Sequence, residues 1–129
     1  MNAPLAWLRR QGYESVVAPF EKSLRHLLGA QRQPEFLADV VTDSYEALEA
    51  LAKIVTGRQD KDLTANKELF ISKVNASVSY KRLLGDYIEY ANAFRHAAAE
   101  GKPKPQVAYT EVENFVYLTG AFVRLAMPA

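Results

Sequence analysis

Apolar residues recur every three or four positions along most of this 129-residue chain, and this spacing is the feature that most limits its possible folds. It is the spacing of an amphipathic α-helix with one face turned to a core. The clearest case begins at Pro34 and ends before Gly57, an apolar stripe of about six turns. The only strand-like stretch, from Gln106 to Tyr109, is too short to compete. The pattern predicts an all-α bundle of four to five helices.

Four further stretches carry the same helical pattern. Their predicted starts are Val16, Thr64, Ser77 or Ser79, and Thr110. Thr110 and Glu113 have the spacing of a capping box, while Gly29 and Gly101 are predicted helix stops. The last helix has apolar residues on several faces. It is therefore predicted to be central in the bundle or to form part of a subunit interface.

Residues 1–14 are predicted to be an N-terminal arm or short helix, and residues 15–129 to be the helical bundle domain. Gly12 is the predicted stop of that short helix. Trp7 and Leu8 need an apolar surface, either on the bundle or on a preceding domain of a longer protein. Basic residues follow the first apolar stretch, the reverse of a signal peptide, and no apolar run approaches the roughly 18 to 20 residues of a membrane span. The sequence predicts a cytoplasmic protein without a membrane partner.

Composition excludes several kinds of chemistry. Cysteine is absent, which excludes disulfides, thiolate zinc sites and thiol nucleophiles. The net charge of +1 produces no overall field that would attract nucleic acid or an anionic membrane. All six glycines are isolated, so phosphate-binding glycine loops are excluded, and metal-binding motifs such as His-Glu-x-x-His are missing. No cofactor and no metal site are predicted.

One turn of the fourth bundle helix carries the chemically suggestive residues Asn92, Arg95 and His96. Their helical spacing predicts one polar patch. An arginine can hold phosphate oxygens and a histidine can transfer a proton near neutral pH, which together form a minimal metal-independent ribonuclease site. The alternative is that Arg95 and His96 only complement the dipole at the C-terminal end of this helix.

Basic and aromatic residues near this patch are candidates for binding RNA or phosphate. Lys102 and Lys104 lie in the proline-rich loop after the helix, and Tyr90 lies on a face away from the apolar stripe. The alternative for the two lysines is a solvated connection. Glu46 and Glu49, on the polar side of the long helix, are predicted to face solvent.

The order of these parts resembles the HEPN superfamily, nearest to the helical C-terminal domains of bacterial abortive-infection proteins. The resemblance covers residues 15–127 and depends on the segments Tyr45-Glu-Ala-Leu-Glu-Ala-Leu-Ala-Lys-Ile-Val55 and Asn92-Ala-Phe-Arg-His-Ala97, a short basic loop and a final apolar helix. It implies a four-to-five-helix bundle that forms a homodimer in a prokaryotic defence or toxin-associated protein.

The resemblance also implies a candidate activity, cleavage of RNA without a metal ion. The family signature has an arginine followed, after four to six residues, by a histidine, whereas Arg95 and His96 are adjacent here. Arg95 and His96 therefore match the family site by their location in the chain and not by their spacing. Two hypotheses follow: a dimerising or interaction module that is a candidate endoribonuclease, or a non-enzymatic adaptor bundle that binds a partner protein.

Overall fold

The computed structural model describes residues 10–103 and 105–127, and its secondary structure is helical. The helices are α1 (Glu14–Gly29), α2 (Phe36–Thr56), α3 (Leu63–Lys73), α4 (Val78–Ala99) and α5 (Tyr109–Ala126). The predicted all-α bundle is confirmed.

The 21-residue helix α2 is the centre of the bundle. Each of the other four helices packs against it. Its stripe residues Val40, Val41, Leu48 and Leu51 are completely buried, as the periodicity predicts. Because α2 occupies the centre, the apolar helix α5 packs on one side of it and keeps an outer face.

Helix α1 lies along α2 and ends at Gly29, as predicted. Its buried residues Val16, Phe20 and Leu27 recur on one face. A Cβ atom at position 29 would lie 3.0 Å from the ring of Phe36, so a glycine permits the close approach between the end of α1 and the start of α2.

The N-terminal boundary of the bundle differs slightly from the prediction. Tyr13 is buried in the core and is the N-cap of α1, so it belongs to the bundle and not to an arm. Gly12 has a positive φ of 89° in the preceding turn, which suits glycine. Trp7 and Leu8, and with them most of the predicted arm, lie outside the described residues.

The structure confirms the predicted N-cap of α4 and shows that the predicted N-cap of α3 is wrong. Ser77 caps α4 by accepting a hydrogen bond from the backbone N–H of Tyr80 at 3.2 Å. Asp62, not Thr64, caps α3, because α3 begins at Leu63 and the Asp62 carboxylate accepts from Ala65 N at 2.8 Å.

The predicted capping box of α5 is also absent. The helix begins at Tyr109, so Thr110 already lies in its first turn, and the N-cap position is occupied by Ala108, which has no side-chain cap. Tyr109 packs against the core, which accounts for the earlier start.

Aromatic side chains join α4 to α5. The rings of Tyr87 and Phe115 stack with centroids 4.4 Å apart, and Phe122 meets Tyr87 edge-on. The buried Tyr87 hydroxyl lies 2.6 Å from Thr119 Oγ1, which donates in turn to the Phe115 carbonyl. These contacts satisfy the buried hydroxyls and fix the distance between the two helices.

Among residues 10–103 and 105–127, none of the helices combines the length and the apolar character needed to cross a membrane.

Candidate functional site

Arg95 is directed inward against α2. Its Nη1 donates a hydrogen bond to the hydroxyl of Tyr45 at 3.2 Å, and its guanidinium carbon lies 4.8 Å from the centre of the Tyr45 ring. Tyr45 is completely buried. The contact therefore combines a hydrogen bond with a cation–π interaction, two ways of stabilising the pair.

Asn92 is directed toward α3. Its Nδ2 donates to Thr64 Oγ1 at 3.4 Å. Its Oδ1 is buried and accepts no hydrogen bond from any residue that the structure describes. Burial raises the pKa of the Tyr45 phenol, and a hydrogen bond with Thr64 and the nearby Arg95 charge oppose the rise. The four polar side chains thus join α2, α3 and α4.

His96 has a different environment from the other two residues of the predicted patch. It is exposed, whereas Asn92 and Arg95 are half-buried. Successive helix residues are rotated by about 100°, so a side chain next to the inward Arg95 turns toward solvent. The single polar patch predicted from the sequence is therefore not assembled within the chain. The catalytic assignment of the three residues stays a prediction.

The predicted RNA-binding residues also separate. Tyr90 packs its ring against Phe94 and Phe115, and its hydroxyl donates to Glu111 Oε2 at 2.5 Å. It therefore joins α4 to α5 and does not stand free of the core. Burial, followed by the hydrogen bond to Glu111, raises the pKa of the Tyr90 phenol. Lys102 is exposed and pairs with Glu100 at 2.6 Å, as expected of a solvated loop.

Lys104 lies outside the described residues.

An ion-paired acid that the sequence analysis did not identify lies between α1 and α2. Asp43 has only 5% of its side chain exposed, and its Oδ2 lies 2.6 Å from His26 Nδ1. Lys22 Nζ lies 3.8 Å from Oδ1. The sequence signal was present: Lys22 and His26 are four residues apart on one face of α1, and Asp43 interrupts the apolar stripe of α2.

A wide groove continues from this ion pair along α1, α2 and α4, and we call it the charged groove. It has a volume of about 620 Å³. Its lining residues are Ser15, Ala18, Pro19, Lys22, Arg25, Glu46, Glu49 and Arg95. Glu46 and Glu49, which were predicted to face solvent, therefore form one wall of a groove to which α1 and α4 contribute three basic side chains.

A second groove, between α4 and α5, is mainly apolar, and we call it the α4–α5 face. It has a volume of about 320 Å³. Its lining residues are Leu83, Asp86, Tyr87, Tyr90, Glu111, Asn114, Phe115 and Leu118. Leu83 is 49% exposed, and Leu118 is half-buried. The groove therefore presents apolar side chains to solvent between the polar residues Asp86, Glu111 and Asn114.

Comparisons with protein-family models, curated proteins and solved structures give no match for this chain. The resemblance to the HEPN superfamily therefore stays a prediction from the sequence. Among the described residues, no group of three His, Asp or Glu side chains is arranged to hold a metal ion.

Proposed function

We propose that this chain is a dimerising interaction module whose two copies meet through the α4–α5 face. The observation that carries the proposal is the apolar groove lined by Leu83, Phe115 and Leu118, in which Leu83 is 49% exposed. Exposed apolar patches of this kind, rimmed by polar residues, are typical of protein–protein interfaces. Burial of these side chains against a second copy would remove them from water.

The charged residues of α4 indicate that the partner bound to the α4–α5 face is a second copy of this chain. Arg82 and Asp86 are both exposed and lie one turn apart beside Leu83. In a two-fold dimer, residue i of one copy contacts residue j of the other, and j contacts i. An antiparallel pair of α4 helices crossing near Leu83 would bring Arg82 of each copy opposite Asp86 of the other. The apolar contact would then be flanked by two ion pairs.

The HEPN resemblance agrees with a dimer and extends the proposal to a defence or toxin-associated role. The contact of Arg95 with Tyr45 supports a structural role for that arginine and hence the non-catalytic form of the proposal. Cleavage of RNA by Arg95 and His96 is the alternative that the resemblance implies.

The proposal is tested by sedimentation velocity over a range of protein concentrations. We expect the wild-type chain to form a dimer and Leu83→Glu to be a folded monomer, because a charge at the centre of an apolar interface is desolvated without a partner. Leu28→Glu is the matched control, since Leu28 is 71% exposed on α1 and lies outside the α4–α5 face. It should dimerise like the wild type.

A charge exchange tests the arrangement of the dimer. Arg82→Asp and Asp86→Arg should each weaken the dimer at low salt, because like charges then meet across the two-fold axis. The double variant should recover most of the lost affinity. A wild-type chain that stays monomeric at high concentration would instead support an adaptor bundle that binds a different protein.

A further inference from the structure

The charged groove brings together three basic side chains from two helices. Lys22 and Arg25 come from α1 and Arg95 comes from α4. Facing them are Glu46 and Glu49 of α2. Two arginines and a lysine that converge on one open groove present many N–H donors to a ligand, and guanidinium groups match the oxygens of a tetrahedral oxyanion.

Several of these groups have a contact within the chain. Lys22 lies near Asp43, and Arg95 donates one hydrogen bond to Tyr45. Glu49 Oε2 accepts from the backbone N–H of Leu63 at 3.0 Å, so this carboxylate is directed to the N-terminus of α3.

Arg25 and Glu46 form no ion pair with any described residue, although both line the same groove. Among the described residues, the groove therefore holds an arginine without an ion-pair partner and a carboxyl group that feels the charges of Lys22 and Arg95 without a direct ion pair.

We propose that the charged groove binds a small tetrahedral oxyanion, a phosphate group, between Arg25, Lys22 and Arg95, with the Glu46 side chain beside it. This site is separate from the α4–α5 face and does not depend on dimerisation. The apolar residues Ala18 and Pro19 on the α1 wall offer a contact for an organic group attached to the phosphate.

The surroundings of Glu46 favour its neutral form over its charged form. Burial raises the pKa of the Glu46 carboxyl, and the neighbouring Asp43 carboxylate adds to the rise. The charged and titratable groups around it are Lys22, Arg25 and His26 from α1, Asp43 and Glu49 from α2, and Arg95 from α4. A bound oxyanion would favour the neutral acid further, since it would replace repulsion between two anions with a hydrogen bond.

Isothermal titration calorimetry with sulfate tests the site, because sulfate has the same shape as phosphate and keeps its charge over a wide pH range. At constant ionic strength, we expect one saturable site per chain and a loss of affinity of about tenfold or more in Arg25→Gln. Arg124→Gln removes an exposed arginine of α5 outside the groove and should bind like the wild type. Heat that does not saturate, or an equal loss in both variants, would overturn the proposal.

The pH dependence tests the role of Glu46. The wild type should bind sulfate more tightly at acidic than at neutral pH, because the neutral Glu46 carboxyl, which burial favours, can donate to the oxyanion whereas the carboxylate repels it. Glu46→Gln should already bind tightly at neutral pH and gain less on acidification. Both proteins contain the same histidines, so a difference between them reports on position 46 alone. An identical pH gain in the two proteins would contradict the role of Glu46.

Two further titrations identify the source of the phosphate group. Tighter binding of phenyl phosphate than of inorganic phosphate would assign the groove to an organic phosphomonoester, through the contact with Pro19. Equal affinities would assign it to the free ion. Absence of binding by both would contradict the proposal.

Discussion

His26 of α1 and Asp43 of α2 lie 2.6 Å apart, from Nδ1 to Oδ2, and form a largely buried pair between the two helices. The Lys22 ammonium is a further contact of this acid, with Nζ 3.8 Å from Asp43 Oδ1. A buried carboxylate without partners is strongly unfavourable, so this acid depends on both contacts. The pair also lies beside the charged groove, where Asp43 influences Glu46.

Removal of Asp43 should destabilise the bundle. In Asp43→Ala the imidazole of His26 loses its acceptor, and we expect the free energy of unfolding to fall by about 1–3 kcal/mol. Urea denaturation measures this loss. Asp60→Ala, which removes an acid with 80% of its side chain exposed, is the control and should change stability by less than about 0.5 kcal/mol. A double-mutant cycle with His26→Ala should show that the two losses are less than additive.

Tyr45 and His96 should differ in their effect on stability. Tyr45→Phe removes only the hydroxyl that accepts from Arg95, and we expect a loss of about 1 kcal/mol from the missing hydrogen bond. His96→Ala changes an exposed side chain and should alter stability by less than about 0.5 kcal/mol. Thermal or urea unfolding of the two variants compares them. A larger loss from His96→Ala than from Tyr45→Phe would contradict the structural role assigned to Arg95 and Tyr45.

The ribonuclease hypothesis has its own test in the same histidine. If the HEPN resemblance extends to the activity, purified protein should cleave RNA in the presence of a chelator, and His96→Ala should abolish the cleavage, because the imidazole is the proposed proton donor. His26→Ala separates this role from that of the other histidine. Equal cleavage by wild type and His96→Ala would exclude His96 as the catalytic group.

Glu46 should make stability depend on pH. Its pKa is raised in the folded chain, chiefly by burial. The folded state therefore favours the neutral acid, and this contribution is complete below the ordinary glutamate pKa of about 4.3 and is lost as pH rises through the folded value. Glu46→Gln should thus be more stable than the wild type at neutral pH, by less than about 1 kcal/mol because the side chain is only partly buried and its charge is screened by solvent.

Urea denaturation at two pH values measures the effect of Glu46. The advantage of Glu46→Gln should disappear below about pH 4, where the wild-type carboxyl is protonated in both folded and unfolded states. Glu68→Gln, at an exposed glutamate of α3, is the control and should match the wild type at both pH values. If Glu46→Gln differed from the wild type in stability by the same amount at both pH values, the charge of Glu46 would not be the cause of the difference.

The sequence alone determined the helices and which face of each is apolar. The stripe of α2, the end of α1 at Gly29 and the Ser77 cap of α4 are all predicted by local spacing and are all present. The Thr64 and Thr110 caps were wrong because Leu63 and Tyr109 are drawn into the helices, and both pack against other elements. A prediction of an N-cap from neighbouring residues in the sequence does not take contacts with other helices into account.

Only the tertiary structure decided which faces meet. Tyr45 and Arg95 are 50 residues apart and His26 and Asp43 are 17 apart, so no helical period relates them. Periodicity reports that a face is apolar or polar, but the partner of a polar side chain depends on how the helices pack. For this reason the sequence placed Arg95 beside His96 in one patch, whereas packing turned Arg95 to Tyr45, left His96 in solvent and opened the charged groove beside Asp43.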